Sequence, residues 1–145
     1  MCKIINPKKT GDFEEYLNLR WLLLRRPLGG KRGSEVDNLE DESFHLAIKN
    51  NDNKFFGVGR IHFIDRISQI RYMAIKREYS RRGYGSKLIK ELENIANQNK
   101  IHKIFLNSRV NAVDFYEKNG YKKIKRVNPS FGKIIHYRME KILDN

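Results

Sequence analysis

The spacing of apolar residues changes several times along the chain, and these changes predict the secondary structure. In two stretches, near residues 20 and 90, apolar positions recur at helical spacing, which is typical of helices with one buried face. Elsewhere they alternate or form short runs, which is typical of strands. The predicted order is strand, helix, three strands, helix, strand, short helix and two strands, at 2–6, 13–24, 43–49, 54–64, 68–76, 88–96, 102–106, 110–118, 121–127 and 133–141.

The connections between these elements predict the fold class. Short turns join the strands between residues 43 and 76, so these strands form an antiparallel meander. The strand–helix–strand succession from 68 to 106 needs a crossover and therefore predicts a parallel pair. The sequence thus predicts an α/β (α+β mixed) fold, with helices flanking a mixed sheet of about seven strands. The length of 145 residues suits a single domain over 1–145.

Two local signals stand beside the first helix. Asp12 and Glu15 resemble a capping box, so the helix is predicted to begin near Phe13. After the helix, segment 31–41 is polar and of mixed charge. Such a weak pattern indicates a mobile loop.

A glycine-rich stretch, SRRGYGS from Ser80 to Ser86, lies between the third meander strand and the long helix. A loop at a helix N-terminus directs backbone N–H groups and the positive end of the helix dipole to one place, so a phosphate fits there. The two arginines add charge and forked donors suited to phosphate oxygens. The stretch is neither a Walker A sequence nor the dinucleotide fingerprint. An ordinary strand-to-helix turn remains the alternative at this point.

Two blocks together resemble a known family. Ser80 to Gly85 resembles motif A of the GCN5-related N-acetyltransferases (GNAT), Arg/Gln-x-x-Gly-x-Gly/Ala, with Ser80 at the position usually held by Gln or Arg. Ala112 to Tyr121 resembles the family segment Ala-x-x-Phe-Tyr-Glu-Lys-x-Gly-Phe/Tyr. The blocks stand in the family's order. The resemblance implies the GNAT fold, a twisted mixed sheet whose central parallel strands splay apart to admit acetyl-CoA as co-substrate.

The resemblance also implies roles for individual residues. Loop amides would hold the pyrophosphate of coenzyme A, a backbone N–H of the splayed strand would polarise the thioester carbonyl, and the Tyr116 phenol would protonate the leaving thiolate. Periodicity alone favours a core aromatic at Tyr116. Arg109 stands where the family often has Asn. The implied coenzyme A-binding residues are Met73, Ala74, Ile75, Arg81, Arg82, Gly83, Tyr84, Gly85, Ser86, Arg109 and Phe115.

Acetyl transfer to an amine also needs a general base, because only the neutral amine attacks. The candidates are Glu40, Asp41, Glu42, His45 and His136. Glu40 and His45 rank first, since they flank the start of the strand nearest the acceptor side of the fold. His136 lies in a segment that resembles the Pro-His-x-x-Met ending of some family members, and its expected role is that of a buried, satisfied histidine. Histidine and cysteine are scattered without ligand spacing, so no metal site is expected.

Composition limits the compartment and the partners. The net charge is +13, which indicates a solvated lysine-rich surface or attraction to polyanions, and coenzyme A is itself anionic. No nucleic-acid-binding motif is present, so a nucleic-acid partner is not expected. A single cysteine, no signal peptide and no apolar run of about 20 residues predict a cytoplasmic protein without a membrane partner.

The predicted function is that of an acetyl-CoA-dependent N-acetyltransferase acting on a primary amine by direct attack on the thioester. The partner is an amine substrate, either a small molecule or a protein amine, and a homodimer is possible through sheet edges. A catalytically weak acyl-CoA-binding module and a small basic RNA-binding protein remain as alternatives. The sequence does not select the acceptor, because its pocket would lie in the least patterned region, 27–43.

Overall fold

The computed structural model describes residues 2–129 and 131–143. Its elements follow the predicted order. They are β1 (Lys3–Ile5), α1 (Phe13–Leu24), β2 (Phe44–Lys49), β3 (Phe55–Ile64), β4 (Ile67–Ile75), α2 (Tyr84–Gln98), β5 (Lys103–Arg109), α3 (Val113–Lys118), β6 (Lys122–Val127) and β7 (His136–Ile142). Short 3₁₀ turns lie at Arg26–Leu28, Glu40–Glu42, Arg77–Tyr79 and Val110–Ala112.

The seven strands form one mixed sheet in the order β1-β2-β3-β4-β5-β7-β6. Of these neighbours only β4 and β5 run parallel, as the crossover through α2 requires. The predicted mixed sheet of about seven strands with flanking helices is therefore confirmed. No helix in the two described ranges is long and apolar enough to span a bilayer.

Helices α1 and α2 cover opposite faces of the sheet. Leu88 and Leu92 of α2 lie in one hydrophobic cluster with Ile48 of β2. Tyr16 of α1 lies in a second cluster with Ala47, the neighbour of Ile48 on the same strand. Because successive strand residues point to opposite faces, each cluster occupies its own side of the sheet.

The two parallel strands separate after four paired residues. Ile67–Ile70 of β4 pairs with residues 103–106 of β5, and both strands then continue without pairing to each other. On its other edge, β4 carries one more residue than β3 between two successive pairs, which is a β-bulge. Tyr72 lies in this bulge with a φ of 56°, a left-handed conformation that is uncommon for an aromatic residue. The bulge and the lost pairing open a cleft at the carboxyl ends of β4 and β5.

Two local predictions differ from the structure. Asp12 is the residue before α1, but its side chain makes no capping hydrogen bond, so the predicted capping box is not formed. Segment 31–41 is not a loose loop, because Glu35 is buried and Asp37 forms ion pairs with Arg60 of β3 and Arg71 of β4. These contacts fasten the segment to the sheet.

Candidate active site

The first part of the site is the start of α2. Gly83 precedes the helix with a φ of 83°, and the Lys87 amide donates the first intrahelical hydrogen bond back to the Gly83 carbonyl. The amides of residues 84–86 come before that bond, so they have no partner within the helix. They form an anion-binding helix terminus of the kind that phosphate groups occupy.

A cavity of about 780 Å³, here called the donor cavity, lies against this helix terminus. Its walls come from β4, from the loop before α2 and from α3. The predicted residues that line it are Met73, Ala74, Ile75, Arg81, Gly83, Gly85, Ser86, Phe115 and Tyr116. A Cβ atom on Gly85 would lie 3.0 Å from the Phe115 ring, so the loop packs closely against α3. Free amides, one arginine and a partly apolar wall fit the diphosphate and the thiol arm of coenzyme A.

Three predicted coenzyme A residues, Arg82, Tyr84 and Arg109, do not line the donor cavity. The Arg82 guanidinium lies 5.7 Å from the centre of the Tyr79 ring. The Tyr84 hydroxyl accepts a hydrogen bond from the Cys2 thiol at 3.3 Å, away from the cavity. Arg109, also predicted to bind coenzyme A, lines a different cavity.

This second cavity, here called the acceptor cavity, has a volume of about 380 Å³. It lies between the separated ends of β4 and β5 and is bordered by the end of α1 and by β7. Its polar lining is rich in cations. The charged and imidazole side chains among its lining residues are Arg25, Arg71, Arg109 and His136.

Tyr116 lies at the junction, because it lines both cavities together with Met73 and Ala112. Burial raises the pKa of the Tyr116 hydroxyl well above its ordinary value, against a smaller opposite effect of the Arg109 charge. The phenol is therefore protonated at neutral pH. It makes no hydrogen bond within residues 2–129 and 131–143, so its proton is available to a bound group.

The two ring nitrogens of His136 differ in their contacts with the described part of the chain. Its Nδ1 lies 2.7 Å from the carbonyl oxygen of Ile134, which only accepts hydrogen bonds. The proton of the neutral ring is therefore on Nδ1, and Nε2 carries the lone pair. Nε2 has no hydrogen-bond partner in the part of the chain that the structure describes. Because His136 also lines the acceptor cavity, it has the chemistry of a general base there.

Comparisons with known proteins agree with this architecture. A family model described as an acetyltransferase (GNAT) domain matches residues 33–143. The chain belongs to the GNAT family. It is 29% identical over 107 residues to an uncharacterized N-acetyltransferase, YjcF, of Bacillus subtilis (strain 168), covering 74% of this chain and 76% of that one.

Solved structures show the same GNAT fold. A GNAT-family acetyltransferase from Staphylococcus aureus Mu50 superposes with a TM-score of 0.80 at 20% identity, covering 99% of this chain and 100% of the other. The ribosomal-protein-S18-alanine N-acetyltransferase of Escherichia coli superposes with a TM-score of 0.80 at 14% identity, covering 100% and 96%. The family assignment and these relatives identify the chain as an N-acetyltransferase.

For this GNAT protein, the two bases favoured by the sequence lie outside both cavities. Oε2 of Glu40 accepts hydrogen bonds from Arg20 Nη1 at 2.9 Å and from Arg60 Nη1 at 3.0 Å. Nδ1 of His45 lies 2.9 Å from the Tyr16 hydroxyl, and its Nε2 donates to the Glu40 carbonyl oxygen at 2.8 Å. Burial lowers the pKa of His45 to about 4. The geometry therefore favours a structural role for Glu40 and His45.

These two residues belong to a buried polar network beneath the acceptor cavity. Arg20 and Arg60 are fully buried, and Asp37 binds Arg60 through two hydrogen bonds of 2.7 and 3.0 Å. Burial raises the pKa of Asp37, but the hydrogen bonds from Arg60 and from the Leu39 amide outweigh it and hold that pKa well below its usual range. Because Asp37 also pairs with Arg71, the network fixes one wall of the cavity. The described residues contain no cluster of three metal-ligating side chains.

Proposed function

We propose that this protein transfers the acetyl group of acetyl-CoA to a primary amine, which attacks the thioester directly. One observation carries the proposal: Met73, Ala112 and Tyr116 line both the donor and the acceptor cavity. A donor and an acceptor bound in the two cavities would meet beside the Tyr116 phenol. Holding two reactants in this way is itself a large part of catalysis.

The donor cavity supplies the contacts that such a reaction needs. Amides at residues 84–86 and the Arg81 guanidinium would bind the diphosphate. Bound acetyl-CoA supplies the activated acetyl thioester. The backbone of residues 73–75 runs along the cavity where β4 has left β5, and an N–H group on that edge would polarise the thioester carbonyl.

Two side chains handle protons, His136 in the acceptor cavity and Tyr116 at the junction of the two cavities. Nε2 of His136 accepts a proton from the ammonium form of the acceptor and so leaves a neutral amine. The Tyr116 hydroxyl holds a proton for the thiolate that departs. Burial keeps this phenol neutral over the physiological range, which suits a proton donor better than an ionisable carboxyl would.

The experiment is a turnover assay with acetyl-CoA and a panel of amines, in which thiol release and the mass of the acetylated amine are both measured. We expect turnover with at least one class of amine. His136→Ala should lower kcat by about 10²-fold or more, and added imidazole should restore part of the rate. Tyr137→Phe, next to His136 on β7 but in neither cavity lining, is the control and should leave kcat unchanged. Coenzyme A binding with no thiol release across the panel would instead support the binding-module alternative.

A further inference from the structure

The lining of the acceptor cavity has an unusual charge pattern. Three arginines, Arg25, Arg71 and Arg109, contribute to it, and none of the described residues that line it carries a carboxylate. Cationic acceptors such as polyamines or lysine-rich tails would meet like charges on this surface, which disfavours them. An anionic group would be attracted.

Two of these arginines converge on one atom. Arg25 Nη1 and Arg109 Nη2 both donate hydrogen bonds to the Leu24 carbonyl oxygen, at 3.2 Å and 3.0 Å. The two guanidinium groups are thus held close together although both carry positive charge. Neither forms an ion pair with a carboxylate within residues 2–129 and 131–143.

The surroundings of these two guanidiniums lower the pKa of each of them. Burial lowers the pKa of Arg25, Tyr72 raises it by a smaller amount, and the charges of Arg71, Arg109 and Arg20 lower it further. Burial also lowers the pKa of Arg109. Arginine nevertheless remains charged at neutral pH. Arg25 is buried and Arg109 is half-buried, so two cations that pair with no carboxylate among the described residues are costly here, and a bound anion would lower that cost.

The guanidinium groups of Arg25 and Arg71 are held in fixed positions. The Arg25 guanidinium lies 4.7 Å from the centre of the Phe131 ring and 5.4 Å from that of Tyr72, and its Nε donates to the Ser34 carbonyl at 2.9 Å. Arg71 is oriented by Asp37 through a 2.8 Å hydrogen bond. Donors that are already ordered lose little entropy when they bind a ligand.

We propose that the acceptor is a small amine that also carries a carboxylate or phosphate-type anion, which Arg25, Arg71 and Arg109 bind in the acceptor cavity. This inference rests on the proposed transfer reaction. His136 and Arg109 are direct cross-strand neighbours on β7 and β5, so the base and the anion-binding group border the same small space. A volume of about 380 Å³ is near the lower end for small-molecule sites and suits a compact molecule.

Binding without turnover tests the anion site alone. Calorimetry would compare succinate, phosphate and the neutral succinamide with the wild-type protein. We expect succinate or phosphate to bind and succinamide to bind at least tenfold more weakly, with the stronger anion identifying the carboxylate or the phosphate class. Arg109→Gln should weaken anion binding about tenfold, whereas Arg66→Gln, an equal charge change at the exposed turn between β3 and β4, should not. Equal binding of succinamide, or anion binding unaffected by Arg109→Gln, would overturn the proposal.

Two further variants guard against misfolding as an explanation. Arg25→Lys and Arg109→Lys keep the charge but lose the forked geometry, and their folding is checked by thermal unfolding. If the fork binds the anion, both lysine variants weaken succinate or phosphate binding while the unfolding temperature changes little. Full anion affinity in both lysine variants and in Arg109→Gln would contradict the assignment.

Turnover with matched amines tests the acceptor class. Acetylation of β-alanine would be compared with that of β-alaninamide, and O-phosphoethanolamine with ethanolamine. We expect kcat/KM at least tenfold higher for the anionic member of one pair, and the ratio should fall toward one in Arg109→Gln. A preference for the neutral members, or for an acidic peptide over both small anions, would overturn the proposal. If anions bind but no amine is acetylated, the result supports the anion-binding site and contradicts the proposed transfer reaction.

Discussion

The donor and acceptor cavities share Tyr116 in their linings, but different chemical groups form their walls. The donor cavity relies on backbone, with amides at the start of α2 and the edge of β4 that has left β5, and Arg81 and Lys118 add exposed positive charge. The acceptor cavity relies on side chains, namely three arginines and His136, and one of the arginines, Arg71, is held by the half-buried Asp37. Backbone donors need only local chain geometry, whereas guanidinium groups need partners from distant elements to hold them. The two halves should therefore respond differently to substitution, acid and salt.

The largest predicted effect lies at the junction. Tyr116→Phe removes one hydroxyl, and we expect kcat to fall about 10²- to 10⁴-fold because the leaving group loses its proton donor. Coenzyme A affinity should change less than about twofold, since the phenol does not contact the diphosphate site. Steady-state kinetics and calorimetry measure the two quantities. An unchanged kcat would show that Tyr116 only packs between the cavities.

The next largest expected effect is a loss of folding stability in acid, which arises in the polar network behind the acceptor cavity. The folded pKa of His45 is about 4, below its unfolded value of about 6.5, so the unfolded chain binds more protons between these values. The contribution of neutral His45 to the free energy of unfolding is fully present above about pH 6.5. It is lost as pH falls toward 4, and the total loss is roughly 3 kcal/mol. Urea unfolding at pH 7 and pH 4.5 would measure it.

His45→Gln should make that loss smaller, whereas His102→Gln should leave it as in the wild type. His102 is half-buried on the connection between α2 and β5, far along the chain from the network. The same slope in all three proteins would show that the acceptor-side network does not respond to acid through His45.

A moderate effect is expected in the donor cavity. Gly85→Ala places a Cβ 3.0 Å from the Phe115 ring, so the helix start or the ring must shift. Overpacking of this kind costs about 1–3 kcal/mol, and we expect coenzyme A to bind roughly tenfold more weakly. Phe115→Leu in the same chain should restore part of the affinity by making room. A double variant as weak as Gly85→Ala would mean that the loss arises from the helix terminus and not from this contact.

The smallest effect separates two neighbouring arginines. Arg81 lines the donor cavity and Arg82 does not, although both are exposed. Arg81→Gln should weaken coenzyme A binding about threefold at low salt, with the difference shrinking above about 0.3 M salt because exposed charges are screened. Arg82→Gln should have a smaller effect at every salt concentration. Equal losses in both variants would indicate general attraction by the basic surface.

The contrast between the cavities also explains what could be predicted from the sequence. The donor cavity comes from two short contiguous segments, so a loop motif and a helix motif were sufficient to locate most of its residues. The exceptions, Arg82 and Tyr84, occupy the same motif but turn away from the cavity, because side-chain direction depends on the left-handed turn at Arg81 and Gly83. Spacing alone does not contain that information.

The acceptor cavity could not be located in this way. Arg25 follows α1, Arg71 lies on β4, Arg109 ends β5 and His136 begins β7, so only the folded sheet brings them together. The sequence placed His136 among the candidate bases but expected it to be satisfied, whereas its Nε2 has no hydrogen-bond partner among the described residues. The sequence does not reveal that Arg20 is buried, because charged residues on helices are seldom fully buried unless they are paired. Arg20 is paired with Glu40, which is distant in the sequence.

The most direct test of the account is a crystal structure of the protein with acetyl-CoA. We expect the diphosphate against the amides at residues 84–86, the thiol arm along residues 73–75, and the thioester sulfur within hydrogen-bonding reach of the Tyr116 hydroxyl. Density for acetyl-CoA elsewhere on the protein, or a bound thioester that Tyr116 does not reach, would contradict the claim that the two cavities meet at this phenol.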